Sequence, residues 1–271
     1  MSIISEQPAD LVLMDTPNRQ KTRRIELKYL VSHQQAEVLR RWAMERMMPD
    51  PFASETGDCS YQITSLYLDT PDFDIFHRQG DRVRGKYRLR RYGTESLIWL
   101  ETKRKSGSVV RKRRTCIPEC DISGRLLEPD GTTEPSPAEP IPAVLNRNAP
   151  TAQWDGEWFR HLIHQHSLRP ATVICYRRFA MAADSPRGPI RLTIDDQIQS
   201  QPESDWCIPN VSSNRPNLLP DGQILELKFT DVLPPLFRHL LLDNPLDLTA
   251  FSKYRAGLAS QIPVVNTDEL S

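Results

Sequence analysis

Residues 82–90 read Arg-Val-Arg-Gly-Lys-Tyr-Arg-Leu-Arg, which places a basic side chain at every second position. Successive side chains of a β-strand point to opposite faces, so the five cations share one face. Val83, Tyr87 and Leu89 lie on the other. Cations so close together repel one another unless an anion lies among them. This stretch therefore predicts a strand at 82–92 whose polar face binds a polyanion.

The same alternation recurs in predicted strands at 24–31, 96–105, 189–199 and 223–230. The charged residues that share a face within these strands are Glu26 with Lys28, Glu101 with Lys103 and Lys105, Arg191 with Asp195, and Glu226 with Lys228. An ordinary sheet with one solvated face produces similar alternation and remains an alternative at this point. The polar faces of these strands carry many Lys and Arg residues and only a few carboxylates, which favours a sheet that curls around an anion. Such a sheet forms a barrel with a basic lumen and with helices on the outside.

The remaining segments complete an α+β pattern. Strands are predicted at 61–68, 109–117 and 171–182. A helix begins after Ser32, with Gln35 completing a capping box, and further helices are predicted at 141–147, 154–167, 235–243 and 251–258. Strands with interposed helices and no internal repeat indicate an α+β fold built on an antiparallel sheet.

The composition limits the classes of protein to which this sequence can belong. The 271 residues include 35 basic and 35 acidic side chains, yet residues 78–114 hold 14 Lys or Arg against three acids. No apolar run approaches the ~18 residues of a membrane span, and the start lacks a signal-peptide pattern, so a cytoplasmic protein is expected. Five cysteines without a C-x-x-C pair predict free thiols.

One domain is predicted between two short tails. Residues 1–20 form a predicted flexible N-terminal tail, 21–262 the domain and 263–271 a C-terminal tail. The segment 118–150 contains seven prolines and is interpreted as a surface insertion.

Nine short motifs occur in one order along the chain. They are Glu26-Leu-Lys-Tyr29, Ser65-Leu-Tyr-Leu-Asp-Thr70, Tyr87-Arg-Leu-Arg-Arg-Tyr-Gly93, Ile98-Trp-Leu-Glu-Thr-Lys103, Val110-Arg-Lys-Arg-Arg114, Tyr176-Arg-Arg-Phe-Ala180, Ile190-Arg-Leu-Thr-Ile-Asp195, Leu225-Glu-Leu-Lys228 and Phe251-Ser-Lys-Tyr254. With these motifs the chain resembles the VTC (vacuolar transporter chaperone) domain. That domain is the polyphosphate polymerase branch of the triphosphate tunnel metalloenzyme and CYTH-like superfamily.

The resemblance implies an antiparallel β-barrel, the triphosphate tunnel, that transfers the γ-phosphate of ATP onto a growing polyphosphate chain with Mn²⁺ or Mg²⁺. The implied catalytic residues are Lys28, Arg88, Arg90, Lys103, Arg178 and Arg191. Substrate binding is expected of Arg84, Lys86, Glu101, Lys112, Arg114, Lys228 and Lys253. Glu226 is the foremost metal ligand, and Glu26 and Asp195 are further candidates.

The first strand differs from the motif of one branch of this superfamily. Triphosphatases of the CYTH type begin with an E-x-E-x-K strand, whereas positions 24, 26 and 28 here are Arg, Glu and Lys. This favours the polymerase over an inorganic or nucleoside triphosphatase, which stays an alternative beside a non-catalytic polyphosphate or triphosphate sensor. Nucleic acid is not an expected partner, because the bases alternate with carboxylates along strands and aromatic stacking positions are few. A separate membrane partner is compatible with the sequence, and the oligomeric state stays open.

Overall fold

The computed structural model describes residues 23–53, 57–79, 85–106, 109–127, 155–209 and 215–261. Both predicted tails, the predicted helix at 141–147, and Arg82 and Arg84 lie outside the described residues. The strands are β1 Arg24–Val31, β2 Met48–Pro49, β3 Ser60–Asp69, β4 Gly85–Tyr92, β5 Leu97–Ser106, β6 Val109–Pro118, β7 Arg169–Ala183, β8 Ile190–Pro202 and β9 Gln223–Thr230. The α-helices are α1 His33–Arg46, α2 Asp74–His77, α3 Glu157–His166, α4 Pro235–Asp243 and α5 Lys253–Ala259.

The strands form one antiparallel sheet in the order β1-β9-β8-β7-β3-β4-β5-β6, with the short β2 paired to β7. This confirms the α+β class. Sequence alternation predicted the main strands to within three residues at each described end, and Ser32 and Gln35 form the predicted capping box. Among the described residues β1 and β6 are not hydrogen-bonded to each other, so the barrel is not closed by a backbone ladder.

The sheet is nevertheless strongly curled. Six strand spacings of ~4.8 Å would separate β1 from β5 by roughly 29 Å in a flat sheet. Instead the Lys103 Nζ of β5 lies 3.7 Å from Glu26 Oε2 of β1. Register shifts at Tyr67/Leu68 between β3 and β7, and at Cys175/Arg177 between β7 and β8, contribute because bulges bend strands. The curled sheet therefore encloses a space, here called the lumen.

Apolar side chains cover the convex face of the sheet. Helices α1 and α4 bury Leu39 and Phe237 against the outer residues of β1, β7, β8 and β9. Helix α3 buries Phe159 and Ile163 in a second cluster with residues of β3, β4 and β5. These clusters confirm the predicted helices on the outside. No described helix is long and apolar enough to span a bilayer.

Helix α5 departs from that arrangement because it packs at one end of the lumen. Its Tyr254 stacks on Tyr67 of β3, with ring centroids 5.3 Å apart. A Cβ atom at Gly257 would lie 2.2 Å from Ile174 Cδ1 of β7 and 3.0 Å from Ser200 Cβ of β8, so a larger residue here would require the Ile174 side chain or the helix to shift. The final predicted helix is thus present, and it forms part of the lumen wall.

The beginning of the predicted insertion is ordered. A 3₁₀ turn at Glu119–Asp121 and a π-helical turn at Ser123–Leu127 follow β6. Ile122 and Leu126 are buried in the same cluster as α3, at 3% and 0% exposure. Residues 118–127 of the predicted insertion therefore pack against the domain, and the insertion itself stays a prediction. The rest of the predicted insertion lies outside the described residues.

Asp69 connects the end of β3 to two helices. Its carboxylate accepts hydrogen bonds from the backbone N–H groups of Thr70, Ile75 and Phe76 and from the Tyr254 hydroxyl. The side chain is only 1% exposed, so these donors rely on the Asp69 carboxylate as their hydrogen-bond acceptor. Asp69 therefore fixes both α2 and α5 relative to the sheet.

We expect Asp69→Ala to lower the free energy of unfolding by about 2–4 kcal/mol, because several buried donors lose their acceptor. Urea denaturation followed by circular dichroism measures the change. Asp72→Ala, at an exposed carboxylate three residues away, is the matched control and should change it by less than about 0.5 kcal/mol. Equal effects of the two variants would contradict the role given to Asp69.

Candidate functional site

The strand registers place the predicted charged residues on the lumen face of the sheet. Direct partners include Lys28 with Glu226, Glu26 with Lys228, Arg178 with Asp195, Arg88 with Glu101, and Lys103 with Lys112. The described basic residues on this face, with Lys253 of α5 added, are Arg24, Lys28, Lys86, Arg88, Arg90, Lys103, Lys112, Arg114, Arg178, Arg191, Lys228 and Lys253. They outnumber the carboxylates of Glu26, Glu101, Asp195 and Glu226, so the lumen carries an excess of positive charge.

Glu226 lies between two lysines near the middle of β9. Lys28 Nζ is 2.9 Å from its Oε1 and Lys228 Nζ is 2.8 Å from its Oε2. Burial alone would raise the pKa of Glu226, but Lys228 and Lys28 outweigh burial and hold that pKa well below its usual range. The carboxylate is therefore ionised at neutral pH despite being 4% exposed.

Two further oxygen groups lie around Glu226. Lys28 Nζ also approaches Glu26 Oε1 at 3.4 Å, so one ammonium bridges both carboxylates. Thr193 is opposite Glu226 in the β8–β9 register, is fully buried, and its hydroxyl has no hydrogen-bond partner in the described structure. Ionised carboxylates and an unsatisfied hydroxyl are hard oxygen donors of the kind that Mg²⁺ and Mn²⁺ bind.

No group of three or more His, Cys, Asp or Glu side chains converges within the described ranges, so these residues do not form a complete protein cage. Mg²⁺ is commonly held by one or two carboxylates together with substrate phosphates and water. Glu226 and Glu26 fit that kind of site. They do so better than Asp195, whose carboxylate is fixed by two hydrogen bonds from the planar Arg178 guanidinium and a third from Lys253, whereas Glu226 is paired with two flexible lysines.

Asp195 orients two of the predicted phosphate-binding cations. Arg178 donates from Nε to Oδ1 over 2.6 Å and from Nη2 to Oδ2 over 2.7 Å. Lys253, at the start of α5, donates to Oδ2 over 2.5 Å. Burial opposes ionisation, but Arg178 and Lys253 lower the pKa of Asp195 to about 2. Asp195 thus holds the lumen end of α5 and the guanidinium of β7 in fixed positions.

A second ion-pair network joins β4 to β5. Arg88 donates from Nε to Glu101 Oε2 over 2.7 Å, and Arg90 Nη1 lies 3.7 Å from the same oxygen. Arg90 also donates from Nε to Ser65 Oγ over 3.0 Å. Burial disfavours the carboxylate, but Arg88 and Arg90 hold the pKa of Glu101 at about 2. Glu101 therefore orients two guanidinium groups whose other N–H donors can bind an anion.

The remaining predicted residues that the structure describes also lie on the lumen face. Arg191 donates to the Tyr61 hydroxyl over 2.7 Å and pairs with Asp50 at 3.0 Å. The Arg114 guanidinium lies 4.7 Å from the centroid of the Trp99 ring. At the end nearer α5, a cavity of about 300 Å³ is lined by residues that include Glu26, Lys28, Lys86 and Lys103. Its volume is at the lower limit of small-molecule sites. Arg84 lies outside the described residues.

Comparison with known families and structures adds one decisive observation. The family model of the VTC domain matches residues 23–262, which is most of the chain. The chain belongs to the VTC domain family. Membership, together with a lumen rich in Arg and Lys, supports a function related to polyphosphate or triphosphate. A search of curated proteins found no match.

Solved structures similar to this VTC domain share little sequence with it. A Hippeastrum protein, described as an adenylyl cyclase candidate with a dominant triphosphatase activity, has 13% identity and a TM-score of 0.45, covering 89% of this chain and 98% of its own. The Pyrococcus horikoshii protein PH1819 has 11% identity and a TM-score of 0.44, covering 88% and 99%. A Vibrio parahaemolyticus adenylate cyclase candidate has 12% identity and a TM-score of 0.41, covering 88% and 98%. At these TM-scores the likeness supports no functional conclusion.

Sequence reasoning missed several residues that line the lumen of this VTC domain. Tyr67 accepts a hydrogen bond from Arg88 Nη1 over 3.1 Å. The ring of Tyr176 lies under both Arg178 and Lys253, at 5.3 Å and 4.7 Å. Tyr176 has the same strand parity as Arg178, and parity alone could have placed it in the lumen. Thr193, between Arg191 and Asp195, could have been placed in the same way.

Lys112 leads us to expect that phosphate binding depends on pH. Partial burial and the ammonium groups of Lys103 and Lys228 lower its pKa to about 8. A bound phosphate chain favours the charged form, so we expect binding to take up a proton and to weaken by up to about tenfold as pH rises through 8. Calorimetric titration with tripolyphosphate, in buffers of different ionisation enthalpy, measures both quantities. Lys112→Arg stays charged and should reduce the pH dependence above pH 8; an unchanged slope in that variant would contradict this assignment.

Proposed function

We propose that this VTC domain is a metal-dependent polyphosphate polymerase that transfers the γ-phosphate of ATP onto a growing polyphosphate chain inside the lumen. The observation that carries the proposal is the arrangement of the lumen face. Its cations exceed its carboxylates, and the carboxylates hold them in fixed orientations. A linear polyanion is the ligand that matches such a surface in charge and shape.

The guanidinium groups supply most of the chemistry. Arg88 and Arg90 are oriented by Glu101, and Arg178 is oriented by Asp195, so their free N–H donors are positioned before substrate arrives. Phosphoryl transfer needs reacting oxygens in line and negative charge offset, and it needs no protein nucleophile. Preorganised cations in a low-dielectric lumen stabilise the transition state because they need not reorient during the reaction.

Lysines at the α5 end of the lumen bind the triphosphate. Lys86 donates to Ser252 Oγ over 3.1 Å, and burial together with Lys28, Arg88 and Lys103 lowers its pKa. These ammonium groups repel one another until an anion binds between them. The cavity that they line, near Glu26 and the start of α5, is the place where we expect the triphosphate of ATP to enter.

Mg²⁺ or Mn²⁺ would be held by Glu226 with Glu26 and would polarise phosphoryl oxygens as a Lewis acid. Lys28 and Lys228 then serve two states of the site. They neutralise Glu226 in the absence of metal, and their ammonium groups can move to phosphate oxygens when the carboxylate has a metal partner.

The first strand supports synthesis over hydrolysis. Where triphosphatases of the superfamily carry a glutamate, this chain has Arg24, two residues before Glu26 on the same strand face. One carboxylate fewer leaves fewer ligands for a metal and more positive charge for a long polyanion.

Incubation of the purified protein with ATP and Mn²⁺ tests the proposal. ADP, free phosphate and long-chain polyphosphate are followed, the last by gel electrophoresis. ADP and polyphosphate with little free phosphate are the expected products. Free phosphate without chains would assign the protein to the triphosphatases. Tight tripolyphosphate binding without turnover would indicate that the protein is a non-catalytic sensor.

A further inference from the structure

The hydroxyl of Tyr67 lies among the basic residues of the lumen. Tyr67 is opposite Arg88 in the β3–β4 register and is 5% exposed. Arg88 donates to its hydroxyl over 3.1 Å, and the guanidinium carbon is 5.8 Å from its ring centroid. The ring of Tyr254 stacks on it at an interplanar angle of 24°. The phenol is thus held in one orientation beside a residue that we propose binds phosphate.

The charged and titratable groups around Tyr67 come from every element packed against it. They are Lys86, Arg88 and Arg90 of β4, Glu101 of β5, Tyr176 of β7, Tyr254 of α5, and Asp69 at the end of its own strand. The Asp69 carboxylate accepts from backbone amides and from Tyr254. Glu101 pairs with Arg88. Lys86 donates to Ser252, a neutral acceptor. Positive charge around the phenol therefore exceeds negative charge.

This excess favours the ionised form of the phenol. Burial alone would raise the pKa of Tyr67, but Arg88, Arg90 and Lys86 outweigh burial and lower it to about 7. By contrast Tyr61, near Arg191, has a pKa raised by burial to about 12 and keeps its proton. The two tyrosines therefore differ in charge at slightly alkaline pH, although both accept a hydrogen bond from a lumen arginine.

We infer that Tyr67 is a phosphate-binding residue that carries a phenolate in the ligand-free protein and takes up one proton when a phosphate chain binds. The inference rests on the proposed function, because it requires a polyphosphate anion among Arg88, Arg90 and Lys86. The bound anion neutralises the cations that the Tyr67 phenolate neutralises in the ligand-free protein. The anion also repels the phenolate, and both effects favour protonation of Tyr67. The proton comes from solvent and forms the O–H bond of the phenol, and the resulting phenol donates that O–H to a phosphate oxygen.

Near-ultraviolet difference spectroscopy tests this at pH 8, since tyrosinate absorbs where tyrosine does not and inorganic tripolyphosphate has no chromophore. We expect tripolyphosphate to remove on the order of one tyrosinate signal per chain. Tyr67→Phe should abolish that change. Tyr29→Phe is the matched control, because Tyr29 is buried in the cluster under α1 and α4, where burial raises its pKa, and the change should persist.

A calorimetric titration under the same conditions separates the possible failures. Tripolyphosphate binding without a decrease of the tyrosinate signal would overturn the inference and leave the proposed function intact. Absence of binding would overturn both. The wild-type protein gives a further readout that needs no variant. Its ligand-free pH titration should show a tyrosinate step near 7 that tripolyphosphate shifts upward, and a step insensitive to the ligand would contradict the inference.

Discussion

Glu226→Gln should abolish metal-dependent turnover of ATP while leaving phosphate binding intact. The amide keeps the shape of the side chain, but it removes the charge that Lys28 and Lys228 neutralise at 2.9 Å and 2.8 Å. A neutral amide is a poor ligand for Mg²⁺ or Mn²⁺, so we expect kcat to fall by about 100-fold or more. That is the scale of losing one preorganised charged group in a water-excluded site.

Binding should respond in the opposite direction. Removing one negative charge increases the positive charge of the lumen, so tripolyphosphate measured without metal should bind equally well or more tightly. Steady-state kinetics across a Mn²⁺ titration, with calorimetry in chelator, separates the two effects. Glu37→Gln, at an exposed carboxylate paired with Arg40 on α1, is the control and should change neither. Retained turnover in Glu226→Gln would exclude Glu226 as the metal ligand, and lost binding would indicate a structural role.

The alternation of charged and apolar residues predicted much of the site because strand parity maps directly onto the two faces of a sheet. Lys28, Glu226 and Lys228 come from strands almost two hundred residues apart, yet parity assigned them to one surface and the register confirms it. The same rule is less informative for β3. Ser65, Tyr67 and Asp69 alternate there with Leu66 and Leu68, but both faces of the strand are buried and it carries no basic residue. Alternation alone therefore did not mark Tyr67 as a residue of the basic lumen.

The location of helix α5 in the fold could not be predicted from the periodicity of its apolar residues. The sequence predicted the last helix, but an apolar stripe shows only that a helix packs, and it does not show against which surface. Gly257 allows α5 to approach Ile174 at the lumen end, and Lys253 then reaches Asp195. Composition did not predict the burial of Ile122 and Leu126 for a related reason. The many prolines determine the average composition of the segment and so suggest a loop. Two apolar side chains are nevertheless enough to pack its first residues against the core.

Arg88→Ala should cause the second large loss of activity. Arg88 contacts Glu101 through Nε and Nη2 and Tyr67 through Nη1, and it faces the lumen, where we expect the second N–H of each terminal nitrogen to bind a phosphoryl oxygen. Truncation removes a preorganised cation from a dry site, so we expect kcat/KM to fall by about 10²–10³-fold, or about 2.7–4 kcal/mol of transition-state stabilisation. Steady-state turnover of ATP, with products resolved as ADP, phosphate and polyphosphate, measures this loss.

Part of that loss has an indirect cause that a double variant isolates. Without Arg88, Glu101 loses the partner that does most to keep its pKa at about 2, and the buried carboxylate is left with Arg90 at 3.7 Å and with Arg114 on the neighbouring strand. Arg88→Ala/Glu101→Gln removes that unpaired charge, so it should recover thermal stability but not turnover. Arg113→Ala is the matched control, because this arginine lies on the opposite face of β6 with its guanidinium 4.5 Å from the Trp158 ring. Unchanged turnover in Arg88→Ala, or an equal loss in Arg113→Ala, would mean that the reaction does not take place in the lumen.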